Sequence, residues 1–206
     1  GGGGGVVLSD LNCFYPLWYQ KRLALGLMAR DTVLISVGRL DKNKNNSTLI
    51  KAVALCNNQS VHLVICGDGE ERDFLSNLAR ELGVGPQIHF LGNRSDMKDL
   101  YAMADIFVIA SYREGLSRSL MEAMASGLPC VTSDIRGNRD LIQNGKGGFL
   151  SSCNDVSGFS EAISRVVEGL EIRLKMSEYN LEKIKDFDIW VVEKQIEEIY
   201  QVVMGG

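Results

Sequence analysis

From Thr32 onward, short runs rich in β-branched residues alternate with stretches whose apolar positions recur at helical spacing. Strands buried on both faces read as near-continuous apolar runs, so the alternation predicts an α/β fold with a parallel sheet covered by helices on both sides. The expected strands are Val33–Val37, Val61–Cys66, Ile88–Leu91, Ile106–Ala110, Cys130–Ser133 and Gly148–Leu150. Six strands complete a doubly wound sheet.

The helical stretches carry their own punctuation. Ser47 is placed to cap a helix with the apolar face Leu49, Ile50, Val53 and Ala54, and Glu70–Leu82 is expected to bury Phe74, Leu75 and Leu78 before Gly83 ends it. Ser95 is expected to cap a short helix presenting Leu100 and Tyr101. A helix after Gly115 stops at Gly127, with Pro129 beyond it, and Asp155 caps another that runs to about Glu168. A further helical stretch carries Leu174, Tyr179 and Ile184. Residues 1–30 read as a glycine tract, taken as an expression scar or unassigned segment, followed by a lead-in or interdomain linker holding Pro16, Trp18 and Tyr19. Residues 31–186 read as the sheet domain. Residues 187–206 are expected to form a final amphipathic helix with Val192, Ile196, Ile199 and Val203 on one face and Trp190 near its start.

Composition narrows the function classes. The chain has 206 residues, 45% of them apolar, and a net charge of −4. That balance argues against a general nucleic-acid binder, which needs a basic stripe to neutralise phosphates. Any anion must be bound locally. The five cysteines form no CxxC pair and have no histidine at ligand spacing, so they read as reduced structural thiols. No apolar run approaches the roughly 20 residues of a bilayer span, and no basic region precedes an apolar leader; the expected location is the cytoplasm. His62 and His89 lie within apolar strands and read as structural, and Met97, Met103, Met121 and Met124 occupy helical core positions.

In an open α/β sheet, ligands bind outside the carboxyl ends of the strands. Three elements fall there: the loop Gly38–Lys44, the loop Gly67-Asp68-Gly69, and Ser111–Glu114 running into Gly115–Ser117. The first lacks G-x-G-x-x-G and Gly67-Asp68-Gly69 lacks the third glycine, which argues against a dinucleotide; a G-x-x-x-x-G-K-[ST] phosphate loop is absent too. What the first loop offers is Arg39, able to fork onto phosphate oxygens, and Lys44, a point charge. From that loop alone, two solvated surface cations are an equal reading. Gly115 lets backbone approach a ligand, and the amides around Ser117–Ser119 open a helix whose positive end favours a phosphate. Glu114 and Glu122 would repel phosphate but accept hydroxyl pairs from a sugar or ribose. Eight helical residues span about 12 Å, which disfavours a glycosidase carboxylate pair at about 5–9.5 Å.

Glu114 and Glu122 form an E-x7-E motif, here EGLSRSLME followed by AMASGLPCV. With SVGRL at Ser36–Leu40 and Lys44, then VICGDGEE, HFLGNRSDM, LYAMADIFVIAS and GNRDLIQNGKGGFL in order, the chain resembles the donor-binding carboxyl-terminal domain of retaining GT-B glycosyltransferases of family 4, from about Thr32 onward. The capsule, exopolysaccharide and lipopolysaccharide members are the most similar. The resemblance implies a Rossmann-like domain, one half of a GT-B architecture, taking a nucleoside-diphosphate sugar, UDP-linked, as substrate and needing neither metal nor cofactor. Consistent with that expectation, no Asp-x-Asp motif stands beside the site.

By motif position, Arg39 and Lys44 would hold the diphosphate next to Gly38. Glu114 would orient the transferred sugar together with the amides of Leu116, Ser117 and Arg118, Gly115 would let the backbone approach it, and the Ser119 region would meet phosphate. Glu122 would hold the ribose, and Asn93 and Arg94 would lie near the base. The acceptor, a saccharide or lipid-linked sugar, would come through an amino-terminal domain that this chain has no room for, with peripheral membrane association in the longer protein. A non-catalytic nucleotide-sugar-binding or subunit-assembly module is the alternative. Two local departures stand out: Asn45 occupies a position where many members have glycine, and Arg136-Gly137-Asn138 with Asp140 stands where Gly-Gly and Glu are commoner.

Overall fold

Side chains on a strand alternate between faces, and in this chain both sets are apolar. In β1 (Thr32–Val37) Leu34 enters one core while Val33 and Ile35 enter the other. The structure, a computed structural model, describes residues 15–187. The remaining strands are β2 (Val61–Cys66), β3 (Ile88–Gly92), β4 (Ile106–Ile109), β5 (Cys130–Ser133), β6 (Gln143–Asn144) and β7 (Gly147–Ser151). They form one parallel sheet in the order β3-β2-β1-β4-β5-β7-β6. The expected six strands are therefore seven: β6 has only two residues, too few to show any alternation.

Helices α2 (Asn46–Cys56), α3 (Arg72–Glu81) and α7 (Val156–Glu168) cover one face, with Leu49, Ile50, Leu75, Phe159, Ile163 and Val166 fully buried or nearly so. Helices α4 (Met97–Met103) and α5 (Arg118–Ala125) cover the other through Leu100, Met103, Leu120, Met121 and Met124. A short α6 (Arg136–Arg139) follows β5, and α8 (Leu170–Lys183) donates the buried Asn180 amide to the carbonyls of Leu128 and Gly147, both at 2.8 Å.

Several local expectations shift. Phe74 is 57% exposed although Leu75, its neighbour, is buried; helical rotation carries it past the core stripe. Asn45 and Asp96, not Ser47 and Ser95, occupy the cap positions of α2 and α4, and neither makes a side-chain cap bond there. The Asp155 cap forms as expected, accepting from the Gly158 amide. The lead-in contains α1 (Leu17–Ala24), packed on α4. Its Arg22 is 3% exposed, donates to the carbonyls of Met103 and Asp31 at 2.8 Å, and pairs with Asp105 at 2.8 Å. The expected helix over 187–206, with Trp190, lies outside the described residues apart from Phe187 itself, as does Cys13.

His62 and His89 meet each other, Nδ1 to Nε2, at 2.9 Å, with Asp31 3.6 Å from His62. Burial is the main cause that holds both pKa values below 6.5, only partly opposed by Asp31. The folded pair therefore resists protons that the unfolded chain accepts, and stability should decline as pH falls through 6.5. Urea unfolding at about pH 7.5 and about pH 5.5 checks this: the midpoint should drop at the lower pH, and a His62→Gln, His89→Gln variant should drop less.

Candidate functional site

The chain leaves β1 for β2 and β3 on one side, then returns to β4 on the other. The strand order thus reverses between β1 and β4, and at such a switch point the two loops diverge and leave a crevice. The loop after β1 and the loop after β4 are tied together across it. Asn43 donates to the Arg113 carbonyl at 3.0 Å and accepts from its amide at 3.1 Å, and the Tyr112 amide donates to the Asn43 carbonyl at 2.9 Å. Asn45 sits in left-handed backbone at φ 53° and is buried, donating to the carbonyls of Ala110 and Cys153 at 3.0 and 2.7 Å. Asparagine tolerates that conformation nearly as glycine does, so the departure noted at this position preserves the turn.

These ties set Lys44 against Glu114. The two side chains form an ion pair, 21% and 15% exposed, and Ser111 Oγ donates to the same Glu114 oxygen at 3.0 Å. Gly38 makes room for it: at φ 149°, a Cβ there would stand 3.0 Å from Lys44 Cε. Behind Glu114, Gly137 of α6 lies so close that a Cβ would meet the Gly115 carbonyl oxygen at 2.2 Å. This tight packing is what Arg136-Gly137-Asn138 supplies in this fold.

Midway along α5, Glu122 is paired with Arg118 at 2.7 Å. Ser117 caps the helix, its Oγ accepting from the Leu120 amide at 3.2 Å. Tyr101 lies beneath Glu122, 2% exposed, and burial, helped by the Glu122 charge, pushes its hydroxyl pKa well above the ordinary range. A cavity of about 720 Å³ brings Gly38, Lys44, Glu114, Ser117, Arg118, Ser119 and Glu122 together. Met97, Lys98 and Tyr101 form part of its wall, so Met97, expected as core, also faces the cavity.

A second cavity of about 1060 Å³ holds Gly38, Arg39, Asn93 and Arg94 with the Gly67–Glu70 loop. Both cavities include Gly38 and Arg118. Arg39 and Lys44, expected to act together, therefore face different cavities that meet at Gly38; Arg39 is 69% exposed and only 3.4 Å from Glu70. Gly115 and Leu116 line neither cavity: Leu116 is exposed, and a Cβ at Gly115 would meet open space. Arg94 is gripped by Asp96 through two hydrogen bonds of 2.9 and 2.7 Å, and Lys21 of α1 holds the same carboxylate at 2.7 Å. Those donors, Arg94 first, hold the Asp96 carboxyl well below the usual carboxylate range. Sequence reading missed Asp96, Lys21, Asn43 and Ser111: Lys21 and Asn43 act on residues distant in the chain, and Asp96 and Ser111 hold near neighbours, Arg94 and Glu114, only because the loops between them bring the side chains together.

Among the described residues no helix is long and apolar enough to cross a membrane. The cysteines 56, 66, 130 and 153 are free, and burial pushes the Cys66 thiol up to about 12.

The family model of Glycosyl transferases group 1 matches residues 21–183. Lipopolysaccharide core biosynthesis glycosyltransferase LpsE of Rhizobium meliloti is 35% identical over 157 residues, covering 76% of this chain and 46% of that protein. The putative glycosyltransferase EpsD of Bacillus subtilis is 31% identical over 192 residues, covering 92% and 50%. The chain thus spans about half the length of these relatives. Among solved structures, HepE of Anabaena in complex with UDP-glucose superposes with a TM-score of 0.81 at 26% identity, over 90% of this chain and 52% of that one.

Proposed function

The chain belongs to the glycosyl transferases group 1 family, and on that premise we propose that it is the donor-binding half of a retaining GT-B glycosyltransferase of family 4. In this reading it moves a sugar from a UDP-linked donor to a saccharide or lipid-linked acceptor in surface-polysaccharide synthesis, in the cytoplasm. The observation that carries it is the crevice at the β1/β4 switch point, where cations and carboxylates alternate around Gly38. HepE, crystallised with UDP and with UDP-glucose, supports the choice of uridine; LpsE and EpsD support the polysaccharide setting.

The residues divide the work by charge. Lys44 and Arg39 approach the diphosphate from the two cavities and stabilise the negative charge that grows on the departing nucleotide. Glu114, fixed by Ser111 and Lys44, accepts hydroxyls of the transferred sugar. Glu122 accepts the ribose hydroxyls, with Ser119 and the first turn of α5 near phosphate. Asn93 and Arg94 lie at the nucleobase, Arg94 held in position by its bidentate bond to Asp96. The acceptor and the exclusion of water come from a second domain, matching relatives about twice as long. Attack from the face the nucleotide leaves by would retain the anomeric configuration, without a metal.

Titrations of two glutamate variants test the assignment. Glu122→Ala should weaken uridine, UDP and UDP-sugar alike, whereas Glu114→Ala should weaken the UDP-sugar and spare UDP. Equal losses of UDP affinity in both variants would overturn the division of labour.

A further inference from the structure

The cations and carboxylates of this crevice are already paired with one another. Lys44 holds Glu114, Arg94 holds Asp96, and Arg118 Nε holds Glu122 at 2.7 Å. The third pair is the most exposed of these, at 38% and 27%, and its orientation is unfavourable. Arg118 is the first residue of α5 and Glu122 lies four residues on, so the cation sits at the positive end of the helix and the acid further along it. Pairs in that order are weaker than the reverse, and exposed i,i+4 pairs contribute little in either order.

Arg118 also borders both cavities. It stands where the space beside Lys44 and Glu122 opens into the space beside Arg39 and Arg94. A diphosphate entering that junction offers an anion to the cation and to the helix end at once, and bonds between guanidinium and phosphate are about twice as strong as neutral ones. A carboxylate released by the same movement recovers an oxygen able to accept a ribose hydroxyl.

Building on the donor-site reading, we propose that the Arg118 side chain is an exchangeable counter-ion. Without donor it closes Glu122; with donor it turns onto the diphosphate and leaves Glu122 to the ribose. Its role is thus a third phosphate-binding cation and a positioning residue for Glu122, beyond the backbone contact that the motif implies. A consequence is that phosphate and ribose recognition are coupled: a nucleoside lacking phosphate must break the Arg118–Glu122 pair with nothing to replace it.

Uridine and UDP titrated into the parent chain, Arg118→Ala and Arg118→Lys test this. Arg118→Ala should lose about tenfold or more in UDP affinity, as expected for a lost bond to a charged group. The same variant should bind uridine about twofold more tightly, the size of an i,i+4 pair. Arg118→Lys should recover part of the UDP affinity, since it restores the charge without the fork. Unchanged UDP affinity in Arg118→Ala, or equal losses for uridine and UDP, would overturn the exchange while leaving the donor site in place. A parent chain that binds neither ligand would overturn the donor-site reading and this inference with it.

Discussion

Lys44→Ala is expected to weaken UDP binding by roughly 1.5–3 kcal/mol, the range for hydrogen bonds to charged groups, or about tenfold to a hundredfold in affinity. Lys44 contributes twice to the site. It offers a cation to the diphosphate, and it neutralises Glu114, whose side chain is 15% exposed. Without it, Glu114 keeps only the Ser111 hydroxyl at 3.0 Å, and a bare carboxylate meets the incoming phosphates. Arg39→Ala should cost less, because Arg39 is 69% exposed and faces the neighbouring cavity. Displacement titration of UDP against the two variants checks the order; an Arg39 loss exceeding the Lys44 loss would contradict it.

Gly67→Ala should lower folding stability by about 2–5 kcal/mol, combining the cost of an L-residue at positive φ with that of overpacking. Gly67 adopts φ 137°, and a Cβ there would stand 2.0 Å from the Gly38 carbonyl oxygen. Neither neighbour can yield cheaply, because both loops are pinned: the Gly67 amide donates to Gly92 at 2.8 Å and the Gly38 amide to Cys66 at 3.0 Å. The substitution therefore wedges apart the loops after β1, β2 and β3 on which the crevice is built. Gly115→Ala is the control, since its Cβ would meet nothing within 4 Å; it should change stability by less than about 0.5 kcal/mol. Denaturant midpoints at unchanged slope measure both, and a Gly67 variant as stable as the parent would show that these loops are not packed as described.

The sheet was legible because its central strands, β1, β2, β4 and β5, are long enough to show apolar runs and are buried on both faces along nearly all their length. β6 was not, since two residues carry no period. Phe74 misled because helical spacing identifies a stripe but not its edge. At the site, Lys44, Glu114 and Glu122 were visible through motif spacing, and Asn45 stood out only as a departure from glycine until its φ of 53° explained it. The bonds that hold these groups were invisible. Asn43 and Asn45 act on backbone of Arg113, Ala110 and Cys153, contacts that only the completed fold creates. Arg118 and Glu122 are helical neighbours wherever α5 begins, but the placing of Arg118 at its first residue was not settled by the sequence alone against an earlier start at Gly115.

The most direct measurement of the central claim is calorimetric titration of the purified chain with UDP, GDP, ADP and NAD in the presence of a chelator. UDP should bind in the micromolar-to-millimolar range, ahead of the other three and unaffected by the chelator. Preference for NAD, or no binding of UDP with or without the chelator, would contradict it.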